Sequence, residues 1–366
     1  MPLEVVAQLD RESAVYLAGE PIHCTVLIAN IGSEEEDPLA WCSVQLQCDR
    51  IIGAGGHEHV SKKSSTSECP RTESTSILRS ASTVFSCLPV VLFCDLQLKP
   101  GEKRKFTCVQ QLPFDGIPPS FKGYLVKYIY KLTIGVQHVR SPIKLFHIPL
   151  RVIQADIGLS LPSRVSLENP FIANRKVGPS VIDLTREAVD CLTAPQKSIV
   201  YSMTNSKGRV AKFTLYKKAF KLGEDVIGRF DFRECPVSCL QFTVSVQSVE
   251  LTVNDEPPRS FATTHMTEHA VCAFWTEAFV KVHIPLSATP TFYTDSVHVK
   301  WRLHFEFVTC ENVLNTISTE DGLCQAPKDI DIETMAWDLD IKVLPCSPFN
   351  AALTSPFSPN FASIIV

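Results

Sequence analysis

Hydrophobic and polar residues alternate with a period of two along most of the chain, and long runs with helical periodicity are nearly absent. Alternation of this kind predicts half-buried β-strands, and turns rich in Pro, Gly, Asn and Asp separate the runs. The 25 prolines fit many short strands joined by loops. The pattern therefore predicts an all-β, mostly antiparallel protein. The clearest runs are IHCTVLIA (22–29), SVQLQC (43–48), LFCDLQL (92–98), KRKFTCVQQL (103–112) and IKLFHIPLRVI (143–153).

One strand pattern occurs twice. Residues 120–136 read SFKGYLVKYIYKLTIGV, and residues 291–307, which lie 171 positions later, read TFYTDSVHVKWRLHFEF. We expect the alternate apolar residues of each copy to pack in a core of its own, and period two favours this over a ligand cavity for the aromatic ones. The aligned positions are Val126, Tyr128, Tyr130, Leu132, Ile134 and Val136 in the first copy and Val297, Val299, Trp301, Leu303, Phe305 and Phe307 in the second.

Further elements recur in the same order, which indicates duplication of a whole domain. Gly19-Glu20 and Gly223-Glu224 each lead into an alternating strand, and glycine at such a turn adopts positive φ at little cost. We expect each glutamate to brace its own turn. The remaining matches are 42–48 with 239–250 and 143–153 with 337–345.

The spacing of these landmarks predicts an insertion in the first copy. The Gly-Glu turns lie 204 residues apart but the copied strands only 171 apart. A Ser/Thr-rich segment without periodicity, 53–83, accounts for the difference as a disordered loop. The predicted organisation is an N-terminal β-sandwich (1–155), an irregular linker (156–197) with a short amphipathic helix at 181–192, a C-terminal β-sandwich (198–346) and a disordered tail (347–366).

Composition limits the function classes. A net charge of −4 and short, scattered basic clusters, which we interpret as solvated surface, exclude a nucleic-acid binder. The first residues have no signal-peptide pattern, and no apolar run is long enough to span a bilayer. We therefore expect a cytosolic protein whose membrane contact is peripheral, and its 14 cysteines to be mainly reduced core residues. The basic clusters are Lys62-Lys63, Lys103 to Lys105 and Lys217-Lys218.

The sequence contains only weak candidates for catalytic or metal-binding motifs. Residues His265 to His269 (HMTEH) fit a zinc-protease pattern, but that site needs a helix, and we expect a loop between strands here. His57-Glu58-His59 lies in the low-complexity segment. Asp295 and Glu306 have no predicted partner, and no nucleophile elbow, P-loop or dinucleotide motif occurs. The sequence predicts no catalytic, cofactor-binding or metal-binding residues, and it does not identify partner-binding residues.

Two consecutive β-sandwiches without catalytic motifs resemble the arrestin-like architecture. Within it, long runs of the chain are similar to the retrograde Golgi transport protein family. They extend from Leu92 to Pro348, and the Gly19-Glu20 strand extends the likeness towards the N-terminus. The runs are LFCDLQLKPGE, PSFKGYLVKYIYKLTIG with SPIKL after it, YKKAFKLGEDVIG, PLSATPTFYTDSVHVKWRLHFEFVT and WDLDIKVLPCSP.

The resemblance implies a non-catalytic subunit of a heterodimeric guanine-nucleotide exchange complex. Its expected partners are a larger subunit carrying β-propellers and a Golgi Rab GTPase of the Rab-six type, with no nucleic acid and no cofactor. The implied process is GDP release in support of retrograde endosome-to-Golgi transport, in the cytosol and peripherally on the Golgi membrane.

Two non-enzymatic alternatives stay open, and neither has exchange activity. One is an arrestin-like cargo adaptor, although the chain has PPSF and PPRS but no P-P-x-Y motif for recruiting ubiquitin ligases. The other is a scaffold subunit of an endosomal sorting coat. A third alternative, an enzyme, depends on HMTEH alone.

Overall fold

The computed structural model describes residues 3–32, 37–53, 81–154, 180–310, 317–318, 324–325, 329–354 and 360–366. Most of these residues lie in strands, so the prediction of an all-β protein is confirmed. The strands are β1 Leu3–Leu9, β2 Val15–Leu17, β3 Pro21–Asn30, β4 Asp37–Ile52, β5 Ala81–Ser86, β6 Val90–Leu98, β7 Lys103–Gln111, β8 Phe121–Lys122, β9 Val126–His138, β10 Lys144–Ile153, β11 Ile199–Asn205, β12 Gly208–Leu215, β13 Ala219–Lys221, β14 Asp225–Asp231, β15 Ser238–Thr252, β16 Ser260–Val271, β17 Glu277–His283, β18 Phe292–Tyr293, β19 Val297–Cys310, β20 Ile317–Ser318, β21 Cys324–Gln325, β22 Ile332–Leu344 and β23 Phe361–Ile365. The helices are α1 Val181–Leu192 and α2 Pro348–Ala352.

The chain divides into two compact units. Unit 1 comprises Met1–Ile153 with Ser355–Val366, and unit 2 comprises Gln154–Thr354. Unit 1 has one sheet in the order β23-β1-β3-β7 and another in the order β2-β10-β9-β4-β5, with β6 on β4 and β8 on β9. Unit 2 has the orders β11-β12-β14-β17 and β13-β22-β19-β15-β16, with β18 on β19, and a small β20-β21 ribbon.

The two units match strand for strand. The order β1-β3-β7 corresponds to β12-β14-β17, and β2-β10-β9-β4 corresponds to β13-β22-β19-β15. The two parallel pairs also correspond, because β2 pairs in parallel with β10 and β13 pairs in parallel with β22. The other strand pairs are antiparallel. This equivalence is the one that the repeated sequence elements predict.

A buried hydrogen bond occurs twice at the predicted offset. The Tyr130 hydroxyl donates to the carbonyl of Pro118 over 2.5 Å. The indole N–H of Trp301, its aligned counterpart, donates to the carbonyl of Thr289 over 3.1 Å. A buried Tyr or Trp needs such a partner for its polar end. Both acceptors lie 12 residues before the donor, so the alignment holds for loops as well as strands.

A second pair of contacts repeats in the loop before each copied strand. The amide of Val152 donates to the Ser120 hydroxyl over 2.8 Å. At the matching position of unit 2, the amide of Val343 donates to the Thr291 hydroxyl over 3.1 Å. Each hydroxyl ties its loop to the neighbouring strand, which fixes the loop against the sheet.

The cores are filled with different side chains, although the copied strands bury their alternate residues as predicted. In unit 2, the Phe230 ring lies between 4.7 and 6.0 Å from five other rings, those of Phe213, Phe232, Phe242, Phe305 and Phe307. Both units bury free cysteines, so the aromatic cluster is what distinguishes the two cores. The buried cysteines are Cys24, Cys42, Cys48 and Cys108 in unit 1 and Cys239, Cys272, Cys310 and Cys346 in unit 2. Burial raises the pKa of the Cys42 thiol to about 12, so this residue behaves as a small hydrophobe.

The prediction of a disordered tail is wrong for the described part of residues 347–366. Residues Pro348–Ala352 form α2, and β23 pairs antiparallel with β1, from Gln8 opposite Phe361 to Glu4 opposite Ile365. The Lys144 ammonium also donates to the carbonyl of Ile365 over 2.9 Å. The physical reason is the open edge of β1, whose unpaired N–H and C=O groups the tail satisfies.

Two other predicted segments are only partly described. Helix α1 spans the stretch where the sequence predicts a helix, and the hydroxyl of Ser180 caps its N-terminus by accepting from the amide of Asp183. This helix belongs to unit 2. Residues 54–80 of the predicted 53–83 insertion lie outside the described residues. Residues 81–83 begin β5, so the predicted C-terminal boundary of the disordered loop is wrong by these three residues.

Candidate functional site

The HMTEH segment lies inside β16, so the prediction of a loop is wrong. The pairing of β16 with β15 skips His265 at a β-bulge. Its Nε2 lies 2.8 Å from the Ser248 hydroxyl, and its ring stacks on Trp301 at 4.7 Å. The Nδ1 of His269 lies 3.0 Å from the hydroxyl of Thr243. Each histidine therefore has its own neighbour on β15, and the helical face that a zinc site needs does not form.

Two of the three residues between these histidines, Met266 and Glu268, cover a sheet edge. A carboxylate oxygen of Glu268 accepts from the amide of Lys281 over 2.8 Å, and the sulfur of Met266 accepts from the amide of His283 over 3.1 Å. Both amides belong to β17, the last strand of its sheet. Unpaired edge amides invite pairing with other chains, so these contacts have a structural role.

Metal-binding geometry is absent from the part of the chain that the structure describes, where no three His, Cys, Asp or Glu side chains are placed to hold an ion. His57-Glu58-His59 falls outside the described residues. Asp295 and Glu306 make local contacts: a carboxylate oxygen of Asp295 accepts from the Ser296 hydroxyl over 3.0 Å, and one of Glu306 lies 3.3 Å from Nε2 of His304.

The Gly-Glu turns are built alike. Gly19 has a φ of 90° and Gly223 a φ of 85°, as the sequence predicts. The carboxylate of Glu20 accepts from the amide of Leu17 over 2.6 Å, and the carboxylate of Glu224 accepts from the amide of Lys221 over 2.9 Å. The prediction that each glutamate braces its own turn is confirmed.

A cation completes each turn. Arg11 donates to the Glu20 carboxylate over 3.0 Å, and its guanidinium lies 4.8 Å from the centroid of the Tyr16 ring. Lys217 donates to the Glu224 carboxylate over 2.8 Å. Its ammonium lies 5.1 Å from the centroid of the Phe220 ring. The same combination of carboxylate, cation and aromatic ring therefore occurs in both units.

Unit 2 has a groove of about 550 Å³ on its surface. Its walls come from the end of α1, the turn before β13, and the strands β19 and β22. Lysine supplies most of its charge, and we call it the lysine groove. The charged lining residues are Lys217, Lys218, Lys300, Lys342 and Asp340.

The groove is not predicted from the sequence, in which Lys217-Lys218 is interpreted as solvated surface and neither Lys300 nor Lys342 is a candidate residue. Both residues occupy outward positions of alternating strands, which is the only signal that the sequence contains. Their proximity depends on the register between β19 and β22, which alternation alone does not give.

Unit 2 also exposes a short aromatic segment. It runs from the end of β16 through the connection to β17. Aromatic residues are enriched in protein–protein interfaces. The exposed side chains, with their exposed fractions, are Val271 at 64%, Phe274 at 61%, Trp275 at 51% and Phe279 at 63%.

No helix among the described residues is long and apolar enough to cross a bilayer.

Comparison with known proteins gives a consistent result. A family model described as Rgp1 matches residues 23–178 and 162–310. The chain is 34% identical over 401 aligned positions to a human protein, "RAB6A-GEF complex partner protein 2", and the alignment covers 100% of both chains. It is also 34% identical over 370 positions to the bovine protein of the same description, and that alignment covers 93% of each chain.

Proposed function

The chain belongs to the Rgp1 family, and from this premise we propose that it is a non-catalytic subunit of a heterodimeric guanine-nucleotide exchange complex. The observation that carries the proposal is the full-length similarity to a human protein described as a partner in a RAB6A-GEF complex. The proposed target is a Golgi Rab GTPase of the Rab6 type. The proposed process is retrograde endosome-to-Golgi transport, with peripheral attachment to the Golgi membrane.

Nucleotide exchange depends on how tightly the complex binds each state of the GTPase. The sequence of this chain predicts no catalytic residues, which is compatible with such a role. An exchange complex binds the nucleotide-free GTPase more tightly than the GDP-bound form and so shifts the population towards release. The shift depends on the ratio of the two affinities and needs no acid, base or nucleophile. Extended sheets and the exposed segment from Val271 to Phe279 support a role in protein contacts.

The proposed second subunit is a larger protein that carries β-propellers. A co-purification experiment tests the assembly: the full chain is expressed with and without that subunit, and each preparation is captured on a Rab6-type GTPase. We expect the heterodimer to bind the nucleotide-free GTPase at least tenfold more tightly than the GDP-bound form.

An unrelated Rab in the same two states is the control, and it should bind weakly in both. Equal binding to the two nucleotide states would overturn the exchange proposal. The chain would then fit an arrestin-like cargo adaptor or a sorting-coat scaffold instead.

A further inference from the structure

The lysine groove brings three positive charges together, two on the neighbouring strands β19 and β22 and one directly before β13. Lys342 pairs with Ala219 of β13, the residue after Lys218, and its amide donates to the Lys218 carbonyl over 2.9 Å. On the other side of β22, Ile341 pairs with Trp301, so the preceding Lys300 lies beside Lys342. Lys218, Lys300 and Lys342 are all exposed and line the same groove.

The structure provides little counter-charge for this group. Lys217 is already paired with Glu224, and the ammonium of Lys218 lies 5.5 Å from the centroid of the Tyr201 ring. Within the described part of the chain, neither Lys300 nor Lys342 forms an ion pair, and Asp340 is the single acidic residue in the groove lining. Like charges on adjacent strands destabilise a sheet, and a bound anion removes that cost.

The duplicated framework does not require these lysines. Because Tyr130 matches Trp301, the position of Lys300 corresponds to Ile129 in unit 1. By the 204-residue offset of the Gly-Glu turns, the position of Lys218 corresponds to Ala14, which is buried. Two of the three lysines are therefore specific to unit 2, and they add charge without any part in the turn or the core.

We infer that the lysine groove binds a phosphate-bearing polyanion of the size of an inositol phosphate, either free or as the headgroup of a lipid. Lysine ammonium groups are common point-charge partners of phosphate. A volume of about 550 Å³ lies in the range of small-molecule sites. The lysines converge on one cavity rather than following a strand edge, which favours a compact polyanion over an extended acidic peptide.

The groove also has an apolar border that suits a ring or the glycerol part of a lipid. Leu192 is 42% exposed at the end of α1, and Tyr293 is 50% exposed on β18. Both line the groove beside the lysines. A ligand there makes ionic contacts with its phosphates and apolar contacts with its carbon skeleton.

The test measures binding of the purified full chain to soluble inositol hexakisphosphate and to phosphatidylcholine vesicles with and without phosphatidylinositol 4-phosphate. The test variant is Lys300→Ala/Lys342→Ala. The matched control, Lys103→Ala/Lys105→Ala, removes two exposed lysines from β7 of unit 1. A glutamine version of the test pair preserves side-chain length and replaces the alanine version if that variant unfolds.

We expect the groove variant to weaken binding by about tenfold or more, and the control to leave it unchanged. Binding of the soluble probe alone identifies a free phosphate compound, and binding of vesicles alone identifies a lipid headgroup. Three results would overturn the inference: no binding of either probe, equal weakening by both double variants, or equally tight binding of a glutamate peptide. The assay contains no GTPase, so its outcome is independent of the exchange proposal.

Discussion

Units 1 and 2 share an order of strands and a set of loop hydrogen bonds, but they differ in what surrounds that framework. The outer strand beside β12 is β11, which directly precedes it in the chain. The corresponding strand beside β1 is β23, from the opposite end of the chain. The comparison shows that the fold constrains which edge is covered and leaves open which segment covers it.

The second difference is the strand that follows the long central one. In unit 2, residues 253–259 connect β15 to a single strand, β16, which pairs along most of its length. In unit 1, residues 53–80 connect β4 to β5, and a second strand, β6, pairs with the other half of β4. A longer connection is tolerated there because loop-closure entropy grows only slowly with length.

The third difference lies in the cores and predicts the largest effect. Phe230→Ala removes a ring at the centre of the aromatic cluster of unit 2 and is expected to cost about 3–5 kcal/mol. The corresponding change in unit 1, Val26→Ala, removes two methyl groups and should cost clearly less. Urea unfolding followed by tryptophan fluorescence checks this, because Trp41 reports on unit 1 and the other tryptophans, Trp275, Trp301 and Trp337, report on unit 2. Equal costs would mean that the two cores do not differ as described.

The turn braces predict the next largest effect. The Glu20 side chain is 6% exposed, whereas that of Glu224 is 25% exposed. Glu20→Gln weakens a well-buried pair and is expected to cost about 2–3 kcal/mol. Glu224→Gln is expected to cost about 1 kcal/mol, since water screens that pair more. The matched measurement is the free energy of unfolding of each variant, and the reverse order would contradict the comparison.

The two units should also differ in how their stability depends on pH. Burial lowers the pKa of His265 below its ordinary value of about 6.5. The unfolded chain then binds the proton more readily, so unit 2 should lose stability as pH falls below about 6.5. His265→Phe retains a ring on Trp301 and should flatten the pH profile of unit 2.

The matched control for this profile is His147→Phe in unit 1, where burial and Lys131 also lower the pKa of the histidine. That variant should leave the tryptophan-detected profile of unit 2 unchanged. An unaltered profile in His265→Phe would rule out this histidine as the source of the dependence.

The smallest expected effect concerns the covered edge of β17. Glu268→Ala removes the acceptor of the Lys281 amide, and the expected cost in stability is only about 0.5 kcal/mol because the contact is exposed. Hydrogen exchange is the sensitive measurement, and the Lys281 amide should exchange faster. His269→Ala, on the same strand, is the control and should leave that amide unchanged. Unchanged protection in Glu268→Ala would show that the carboxylate does not cover the edge.

Sequence reasoning succeeded where a local pattern determines the outcome. Period-two alternation marks the buried face of β9 and β19, and a glycine before glutamate marks a turn that needs positive φ. The 171-residue offset then predicts equivalent contacts for Tyr130 and Trp301.

It failed where the outcome depends on distant pairing. Residues 361–365 form only a short apolar run after repeated Ser-Pro pairs, and their partner β1 lies at the other end of the chain. The HMTEH segment resembles a catalytic motif until its strand neighbours are known. The lysine groove likewise requires the register that joins Lys342 to its neighbours on β13 and β19.

Release of a fluorescent GDP analogue from a Rab6-type GTPase tests the central claim most directly. It is measured with the chain alone, with the larger subunit alone and with the purified heterodimer. The account predicts that the heterodimer accelerates release, whereas the chain alone leaves it at the spontaneous rate. Release as fast with the chain alone as with the heterodimer, or no acceleration by the heterodimer, would contradict the account.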